Sequence, residues 1–362
     1  MKRPTAVVYS EAFFGTPDGK TANGLVRHSE KYEILAVIDS TKVGLDAGEY
    51  LDERPNGIPI CADLAAVIAR FGRIPRFFII GVAPLSGMLS PRERHVLLDA
   101  MGRGMSVVNG LHEFLNDDPE FTAAAAKYGV RLLDVRRPRA KKDLRMFSGR
   151  IDEVTCPRIA VLGTDGAIGK RTTATILTQA LNEAGIRAVM VGTGQTGLIQ
   201  GARYGVALDA IPCQFCSGEM EAAVVEAFEA EHPDVIIIEG QGALSHPAYL
   251  SSTFILRGAR PDAAILQHAP ARRMLGDFPD IPAPTPLSEI ALLRAFAGVE
   301  VIGLTINHED MTDAEVSAAI ILYELELGVP ATDALTRPVA RLVDMVVSAF
   351  PALATKLATG AE

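Results

Sequence analysis

The feature that most constrains the fold is a glycine-rich turn between an apolar run and a helical pattern. Residues 158–181 read RIAVLGTDGAIGKRTTATILTQAL. Gly163, Gly166 and Gly169 allow the backbone to curl so that several N–H groups face one anion, and the positive end of the following helix adds to the attraction. A buried strand, such a turn and a helix, in this order, form a phosphate-binding loop. The segment therefore predicts an α/β domain that binds a phosphorylated ligand at the end of a strand.

This loop departs twice from the common pattern G-x-x-x-x-G-K-[ST]. Gly163 stands six positions before Gly169, and Arg171 replaces the hydroxyl that usually follows the lysine. Lys170 is expected to place its charge on the phosphates, and a later threonine can reach a magnesium ion only with an offset. A triphosphate and the diphosphate of coenzyme A both stay open as ligands. The predicted cofactor-binding residues of the loop are Gly163, Thr164, Asp165, Gly166, Gly169, Lys170, Arg171, Thr172 and Thr173.

Short β-branched runs alternate with helical periods twice along the chain. The first series lies within residues 1–136 and the second within 158–362, and the polar, proline-bounded segment 137–157 separates them. Such alternation predicts two α/β domains with parallel sheets, joined by a linker. The strands of the second series are continuously apolar, which predicts a sheet that is covered on both faces.

Candidate catalytic residues follow the predicted strands, because ligands of open α/β sheets bind at the carboxyl ends of the strands. Glu239 ends the apolar run DVIII, where a carboxylate can act as a general base or position a metal. His246 lies seven residues further on and can share that work, although a lone loop histidine is often structural. With Lys170, these two form the predicted catalytic set.

Other polar residues at strand ends are predicted to contact the ligands. The stretches GTGQTG and QHAPARRMLGD follow two strands of the second series, and NGLHEFL follows one of the first. An arginine of the second stretch can form a bidentate pair with a carboxylate, or it can be a solvated surface charge. Asn307, after the last strand, can form hydrogen bonds with a nucleotide base or cap the next helix. The predicted substrate-binding residues are Gln195, Thr196, His268, Arg272, Asn109 and His112, and Asn307 joins the cofactor-binding set.

Composition and charge narrow the class of protein. The net charge of −9 argues against general nucleic-acid binding, and no apolar run reaches the ~18 residues of a membrane span. The chain start shows no cleavable signal pattern, so we expect a cytoplasmic protein that acts on a small molecule. The motif CQFC has no second cysteine pair, and no metal site is predicted.

Five segments in order, LGTDGAIGKRTT, GTGQTG, SGEME, IIEGQGALSHP and LQHAPAR, resemble a family long catalogued as a domain of unknown function. Some of its members are DgcN-type D-glutamate N-acetyltransferases. The resemblance extends to SGMLSPRERHVLLDAMGRGMSVVNGLHEFLNDDPE in the first half, and implies a Rossmann-like N-terminal domain followed by a P-loop NTPase-like domain. It implies acetyl-CoA as donor, D-glutamate as acceptor and a product that is passed to a racemase. The loop would then hold the coenzyme A diphosphate, Arg272 would grip the substrate carboxylate, and Glu239 or His246 would take the amine proton.

The second domain is also similar to dethiobiotin synthetase, whose loop has the same long spacing. That likeness implies ATP with magnesium as cofactor and an ATP-dependent ligase or kinase. Lys170 and Thr172 would contact phosphate, Glu239 would help hold magnesium, and Asn307 would lie near the base. Arg171 departs from this pattern. A nucleotide-binding regulator without turnover is the third alternative, and a homo-oligomer is expected because most such enzymes associate symmetrically.

Overall fold

The computed structural model describes residues 3–84 and 86–357. These residues divide into two compact units. The first contains the described residues up to Pro138 together with Gln195–Ala202, and the second contains Arg139–Gly194 and the described residues from Arg203 onward. The short segment Gln195–Ala202 therefore belongs to the first unit, although it stands within the second αβ series of the sequence. No described helix combines the length and the apolarity that a membrane crossing demands.

The first unit is a parallel sheet with helices on its faces. Its strands are β1 (Thr5–Tyr9), β2 (Glu33–Ile38), β3 (Ile60–Cys61), β4 (Phe77–Ile80), β5 (Ser106–Asn109) and β6 (Leu132–Asp134). Its helices are α1 (Lys20–Arg27), α2 (Ala47–Asp52), α3 (Leu64–Phe71), α4 (Pro91–Gly102), α5 (Pro119–Tyr128) and α7 (Gln195–Gln200).

The strand order of this sheet is β3-β2-β1-β4-β5-β6, which is the order of a Rossmann sheet. The order reverses between β1 and β4, whose pairing aligns Val8 with Ile79. One apolar cluster covers each face, and Ile199 of α7 packs into the cluster that holds α1. The predicted Rossmann-like fold of this half is confirmed.

The second unit is a larger parallel sheet, also covered on both faces. Its strands are β7 (Arg158–Gly163), β8 (Ala188–Gly192), β9 (Tyr204–Gly205), β10 (Val235–Glu239), β11 (Ala263–His268), β12 (Met274–Leu275), β13 (Phe278–Pro282), β14 (Glu300–Ile306) and β15 (Ala331–Thr332). Its helices are α6 (Lys170–Glu183), α8 (Cys213–Glu231), α9 (Ser251–Ala259), α10 (Pro286–Ala297), α11 (Asp313–Leu327) and α12 (Ala340–Ala349).

The main sheet of this unit has the order β15-β14-β11-β7-β10-β8-β9, and β12 and β13 form a separate antiparallel hairpin. Ala160 and Leu162 of β7 pack into one apolar cluster, and Ile159 and Val161 pack into another. Alternate side chains of the strand thus enter different cores, which explains its continuous apolarity. The strand ends of β10 and β11 flank the loop that follows β7. The predicted P-loop NTPase-like sheet is confirmed.

The segment from Arg139 to the start of β7 is packed onto the second unit by the motif SGEME of α8. Glu219 accepts a hydrogen bond of 2.7 Å from the backbone N–H of Arg145, and Glu221 accepts one of 2.7 Å from that of Ser148. A Cβ at Gly218 would lie 2.2 Å from the carbonyl oxygen of Arg145, so only glycine permits this approach. The motif therefore anchors the segment through buried carboxylates.

Candidate functional site

The glycine-rich turn forms a loop between the central strand β7 and helix α6. Gly169 occupies the N-cap position with φ of 101°, a left-handed conformation that favours glycine, and it provides no side-chain cap for the helix. Lys170 is buried, and its Nζ donates a hydrogen bond to the carbonyl oxygen of Asp165 within the loop. A buried ammonium and an uncapped helix start at one turn form a cradle that suits an anion.

An arginine clamp holds this loop. Arg272 donates from Nη1 to Oδ2 of Asp165 at 2.8 Å and to the carbonyl oxygen of Gly166 at 2.9 Å. Its Nε and Nη2 form a bidentate pair with Glu309, at 2.7 and 2.9 Å. The backbone N–H of Gly276 also donates to Oδ2 of Asp165, at 2.8 Å. Arg272, predicted to grip a substrate, thus makes these contacts within the protein and positions the loop.

His246 lies beside the loop with its ring in contact with two aromatic side chains. The ring stacks on Tyr249 at 4.3 Å and 15°, and Phe278 lies 5.7 Å away. Nδ1 accepts hydrogen bonds from the backbone N–H groups of Ala248 and Tyr249, both at 3.2 Å. An atom that accepts two N–H groups carries no proton, so in the neutral ring the proton is on Nε2.

Nε2 of His246 is a buried donor beside the loop. It makes no hydrogen bond with any described residue and lies 3.8 Å from Oδ1 of Asp165. Burial lowers the pKa of His246, the charge of Lys170 lowers it further, and Asp165 and Asp277 oppose this effect. A neutral ring with a proton on Nε2 can donate a hydrogen bond to a ligand but cannot accept a proton at that atom.

The segment that contains His246 is held by a residue that the sequence pattern did not single out. Glu289 of α10 is fully buried and accepts hydrogen bonds from the backbone N–H groups of Leu244, at 2.7 Å, and Ser245, at 3.3 Å. Tyr249 donates from its hydroxyl to Oδ2 of Asp277 at 2.5 Å, which joins the same segment to the β12–β13 hairpin. These contacts position the imidazole.

Glu239 ends β10 and is buried beside the loop. Its Oε2 accepts a hydrogen bond of 2.9 Å from the backbone N–H of Thr193. Burial raises the pKa of Glu239. The positive charge of Arg171 is the largest of the opposing effects, which lower it. A Cβ at the neighbouring Gly240 would lie 2.0 Å from the carbonyl oxygen of Val161, so the backbone after Glu239 requires glycine. A carboxylate with a raised pKa is a suitable proton acceptor near neutral pH.

The remaining strand ends bring polar side chains to the same loop. The hydroxyl of Thr164 lies 2.8 Å from Nδ1 of His268, and burial lowers the pKa of that imidazole to about 4. Oε1 of Gln267 accepts a hydrogen bond of 2.6 Å from the hydroxyl of Thr173. Asn307 caps the backbone of Glu309, because its Oδ1 accepts that N–H at 2.9 Å.

Three observations bear on metal binding by the second unit. The hydroxyl of Thr173 donates to Gln267, while the half-buried Thr172 makes no side-chain hydrogen bond with a described residue. Within the part of the chain that the structure describes, no three His, Cys, Asp or Glu side chains are grouped as metal ligands. In the CQFC motif, Cys216 is buried against backbone carbonyls and Cys213 is exposed.

Four predicted substrate-binding residues lie in the first unit. Asn109 is fully buried, and its Nδ2 donates to Asp134 at 2.8 Å while its Oδ1 accepts the N–H of Leu111 at 2.9 Å. The hydroxyl of Thr196, on α7, lies 2.9 Å from that of Thr21, on α1. The amide of Asn109 thus organises the loop after β5, and the hydroxyl of Thr196 joins α7 to α1. The substrate roles predicted for these two residues, and for Gln195 and His112, stay predictions.

Comparison with known proteins assigns the family. A model described as the P-loop domain of the domain of unknown function DUF1611 matches residues 145–343, more than half of the chain, and a model of its Rossmann-like N-terminal domain matches residues 40–138. The chain belongs to the DUF1611 family. The resemblance predicted from the sequence is thereby confirmed.

Two proteins with a named activity and one solved structure are similar to this chain. A D-glutamate N-acetyltransferase of Tritonibacter scottomollicae is 34% identical over 273 residues, which span 74% of this chain and 79% of that protein. A protein of the same name from Pseudoalteromonas sp. is 33% identical over 273 residues, or 74% and 80% of the two chains. The crystal structure of a DUF1611 family protein from Anabaena variabilis has a TM-score of 0.87 at 30% identity, and covers 96% of this chain and all of that one.

Proposed function

We propose that this protein is an N-acetyltransferase that transfers the acetyl group of acetyl-CoA to the amine of D-glutamate. Two relatives that are 34% and 33% identical to it over 273 residues carry the name D-glutamate N-acetyltransferase. The observation that carries the proposal is a buried carboxyl group, Glu239, and a buried N–H donor, Nε2 of His246, beside one phosphate loop. Acyl transfer to an amine needs both groups.

Two features of the loop support the diphosphate of coenzyme A as its ligand. Lys170 donates to a carbonyl of its own loop, a contact that a phosphate oxygen would replace, and the start of α6 has no side-chain cap. Magnesium binding would need the hydroxyl position after the lysine, where Arg171 stands, and the hydroxyl of Thr173 is committed to Gln267. With two of the three positions after the lysine unsuited to magnesium and only the hydroxyl of Thr172 uncommitted to a described residue, these features support a diphosphate held by fixed cations as the ligand.

The proposed reaction balances with one proton released. The ammonium of D-glutamate loses one proton before its nitrogen bonds to the acetyl carbon, and the nitrogen loses a second proton after that bond has formed. The carbon–sulfur bond breaks, the thiolate takes one of these protons and leaves as free coenzyme A, and the other proton is released. Glu239 accepts the amine proton. Burial raises its pKa, and a general base is most effective when its pKa lies near the operating pH. His246 donates from Nε2 to the acetyl oxygen as negative charge develops there, as neutral imidazoles do in other enzymes.

Calorimetric titration tests the ligand. We expect acetyl-CoA to bind without magnesium and Lys170→Met to lose most of that binding, while Lys127→Met, an exposed lysine of the first unit, leaves it unchanged. Methionine keeps the buried aliphatic stem of Lys170, and circular dichroism checks the fold. Release of free thiol is then measured with D-glutamate, L-glutamate and D-aspartate as acceptors.

The alternatives give different results in the same experiments. Magnesium-dependent ATP binding with ADP formation and no acetyl-CoA signal would place the protein with ATP-dependent ligases or kinases. Tight ATP binding without any product would indicate a regulator. No thiol release with any acidic amino acid would reject the acetyl transfer.

A further inference from the structure

The motif CQFC, which the proposed activity does not use, places two thiols on the first turn of helix α8. Cys213 is the first residue of this helix, and Cys216 follows three positions later. Residues with this spacing on an α-helix have Cα atoms about 5 Å apart. A disulfide can form between Cα atoms that are about 4.4–6.8 Å apart. The two cysteines can therefore be bridged while the helix stays intact.

The two thiols differ in their access to solvent. Cys213 is exposed, whereas Cys216 is 1% exposed. The Sγ of Cys216 lies 3.4 Å from the carbonyl oxygen of Ile211 and 3.7 Å from that of Pro212, the residue that directly precedes Cys213. Burial and the charge of Cys213 raise the pKa of the Cys216 thiol to about 12. An exposed thiol that reacts first, next to a buried thiol that completes the disulfide, is typical of redox-active cysteine pairs.

The surroundings of the pair do not supply a metal site. Within the described chain, no other His, Cys, Asp or Glu side chain joins these cysteines in a group of three potential metal ligands. Structural zinc takes four ligands, so a dithiol alone is better suited to oxidation than to metal binding.

A series of three hydrogen bonds joins Cys216 to Glu239. The thiol of Cys216 donates to the carbonyl oxygen of Leu208 at 3.7 Å. The backbone N–H of Leu208 donates to the carbonyl oxygen of Thr193 at 3.1 Å, and the N–H of Thr193 donates to Oε2 of Glu239 at 2.9 Å. A displacement of the buried sulfur therefore acts on the backbone that holds this carboxyl group.

We propose that Cys213 and Cys216 form a redox modification site, at which a small-molecule disulfide oxidises them to an intramolecular disulfide that loosens the backbone holding Glu239. The new bond removes the S–H donor from the carbonyl of Leu208 and draws the sulfur of Cys216 toward Cys213. This inference does not depend on the proposed activity.

The oxidation balances as thiol–disulfide exchange. The thiolate of Cys213 attacks one sulfur of the small-molecule disulfide, and the first small thiol leaves. Cys216 then loses its proton and attacks the Sγ of Cys213 in this mixed disulfide, and the second small thiol leaves. One S–S bond forms in the protein and one breaks in the oxidant. Two electrons pass to the oxidant, and the two protons of the protein thiols end on the released thiols.

A count of free thiols tests the bond, with glutathione disulfide as the probe. The folded protein is treated with the probe, freed of it and unfolded in denaturant. The wild type should fall from four free thiols to two, and dithiothreitol should restore all four. Cys213→Ser should keep its three thiols. Cys156→Ser is the matched control, because this half-buried thiol lies outside the motif, and it should fall from three to one.

Three results would overturn the intramolecular bond. They are four remaining thiols in the treated wild type, a glutathione adduct that persists on Cys213, and a disulfide between two chains on a non-reducing gel.

Hydrogen exchange tests the link to Glu239. Peptides that cover residues 188–212 should exchange at least about two-fold faster in the oxidised wild type than in the reduced protein, because one weak hydrogen bond is lost. Peptides of α4 should not change. Treated Cys216→Ser should exchange like the reduced wild type, because its hydroxyl can still donate to Leu208. Equal exchange in the two states of the wild type would reject the link. Both measurements need no substrate, so a failure of acetyl transfer would leave their outcome unaffected.

Discussion

The arginine clamp on the phosphate loop gives the sharpest test of the site. Replacement of Arg272 by glutamine keeps part of the aliphatic stem but shortens the side chain and removes the charged, bidentate guanidinium group. Asp165, whose side chain is 3% exposed, then loses its counter-ion, and Glu309 loses a bidentate partner. We expect the loop to lose both its position and much of its stability.

The structure sets the magnitude. Hydrogen bonds to charged groups contribute about 1.5–3 kcal/mol each, and removal of one partner of a buried pair costs about 3–5 kcal/mol. The carboxylate of Glu309 is 31% exposed, so water compensates part of the loss on that side. Arg272→Gln should therefore lower the free energy of unfolding of the second unit by about 2–4 kcal/mol.

Urea unfolding measures this change. Far-UV circular dichroism is the suitable signal, because the chain has no tryptophan, and two transitions are analysed separately if the units unfold independently. Arg273→Gln is the matched control, since that neighbour is exposed and its guanidinium makes no hydrogen bond with a described residue. A change below ~0.5 kcal/mol for Arg272→Gln, together with a raised KM for the acidic acceptor, would refute the clamp and restore the substrate role predicted from the sequence.

Three further predictions concern the strand ends. Glu239→Gln should abolish turnover while ligand binding persists. In the wild type, activity should fall as the pH drops through the pKa of Glu239, which burial raises above the range of a solvated carboxyl group. Activity that stays unchanged down to pH ~4.3 would contradict a base with a raised pKa. Gly240→Ala should prevent folding of the second unit, because the added Cβ meets a carbonyl oxygen at 2.0 Å; soluble protein with native circular dichroism would disprove the close approach. Chelation by EDTA should change the affinity for acetyl-CoA by less than about two-fold, and Arg171→Ser should make that affinity depend on magnesium. Strong metal dependence in the wild type would contradict the proposal that Arg171 replaces the magnesium-binding hydroxyl.

The sequence predicted the two sheets because strand periodicity and helical periodicity are local properties. It did not indicate that Gln195–Ala202 belongs to the first unit, since the contact between Thr196 and Thr21 joins residues 175 positions apart. Glu289 and Glu309 were missed for the same reason. Each is an ordinary acidic residue of a helix or loop, and only tertiary packing brings Glu289 to two backbone N–H groups and Glu309 to Arg272. A search for acidic side chains near predicted glycine loops would not have separated them from solvated ones.

The contacts of His246 show how local sequence determines which ring nitrogen carries the proton once the fold is known. Pro247 has no N–H, so the first two donors after the histidine are those of Ala248 and Tyr249, and both reach Nδ1. That geometry holds the proton on Nε2 and disfavours a second one, in agreement with the lowered pKa. A base at Nε2 would require the opposite tautomer and the loss of both backbone contacts. Under the proposed function, the two roles that the sequence left open for Glu239 and His246 therefore separate: the carboxyl group would accept the amine proton, and the neutral imidazole would donate a hydrogen bond.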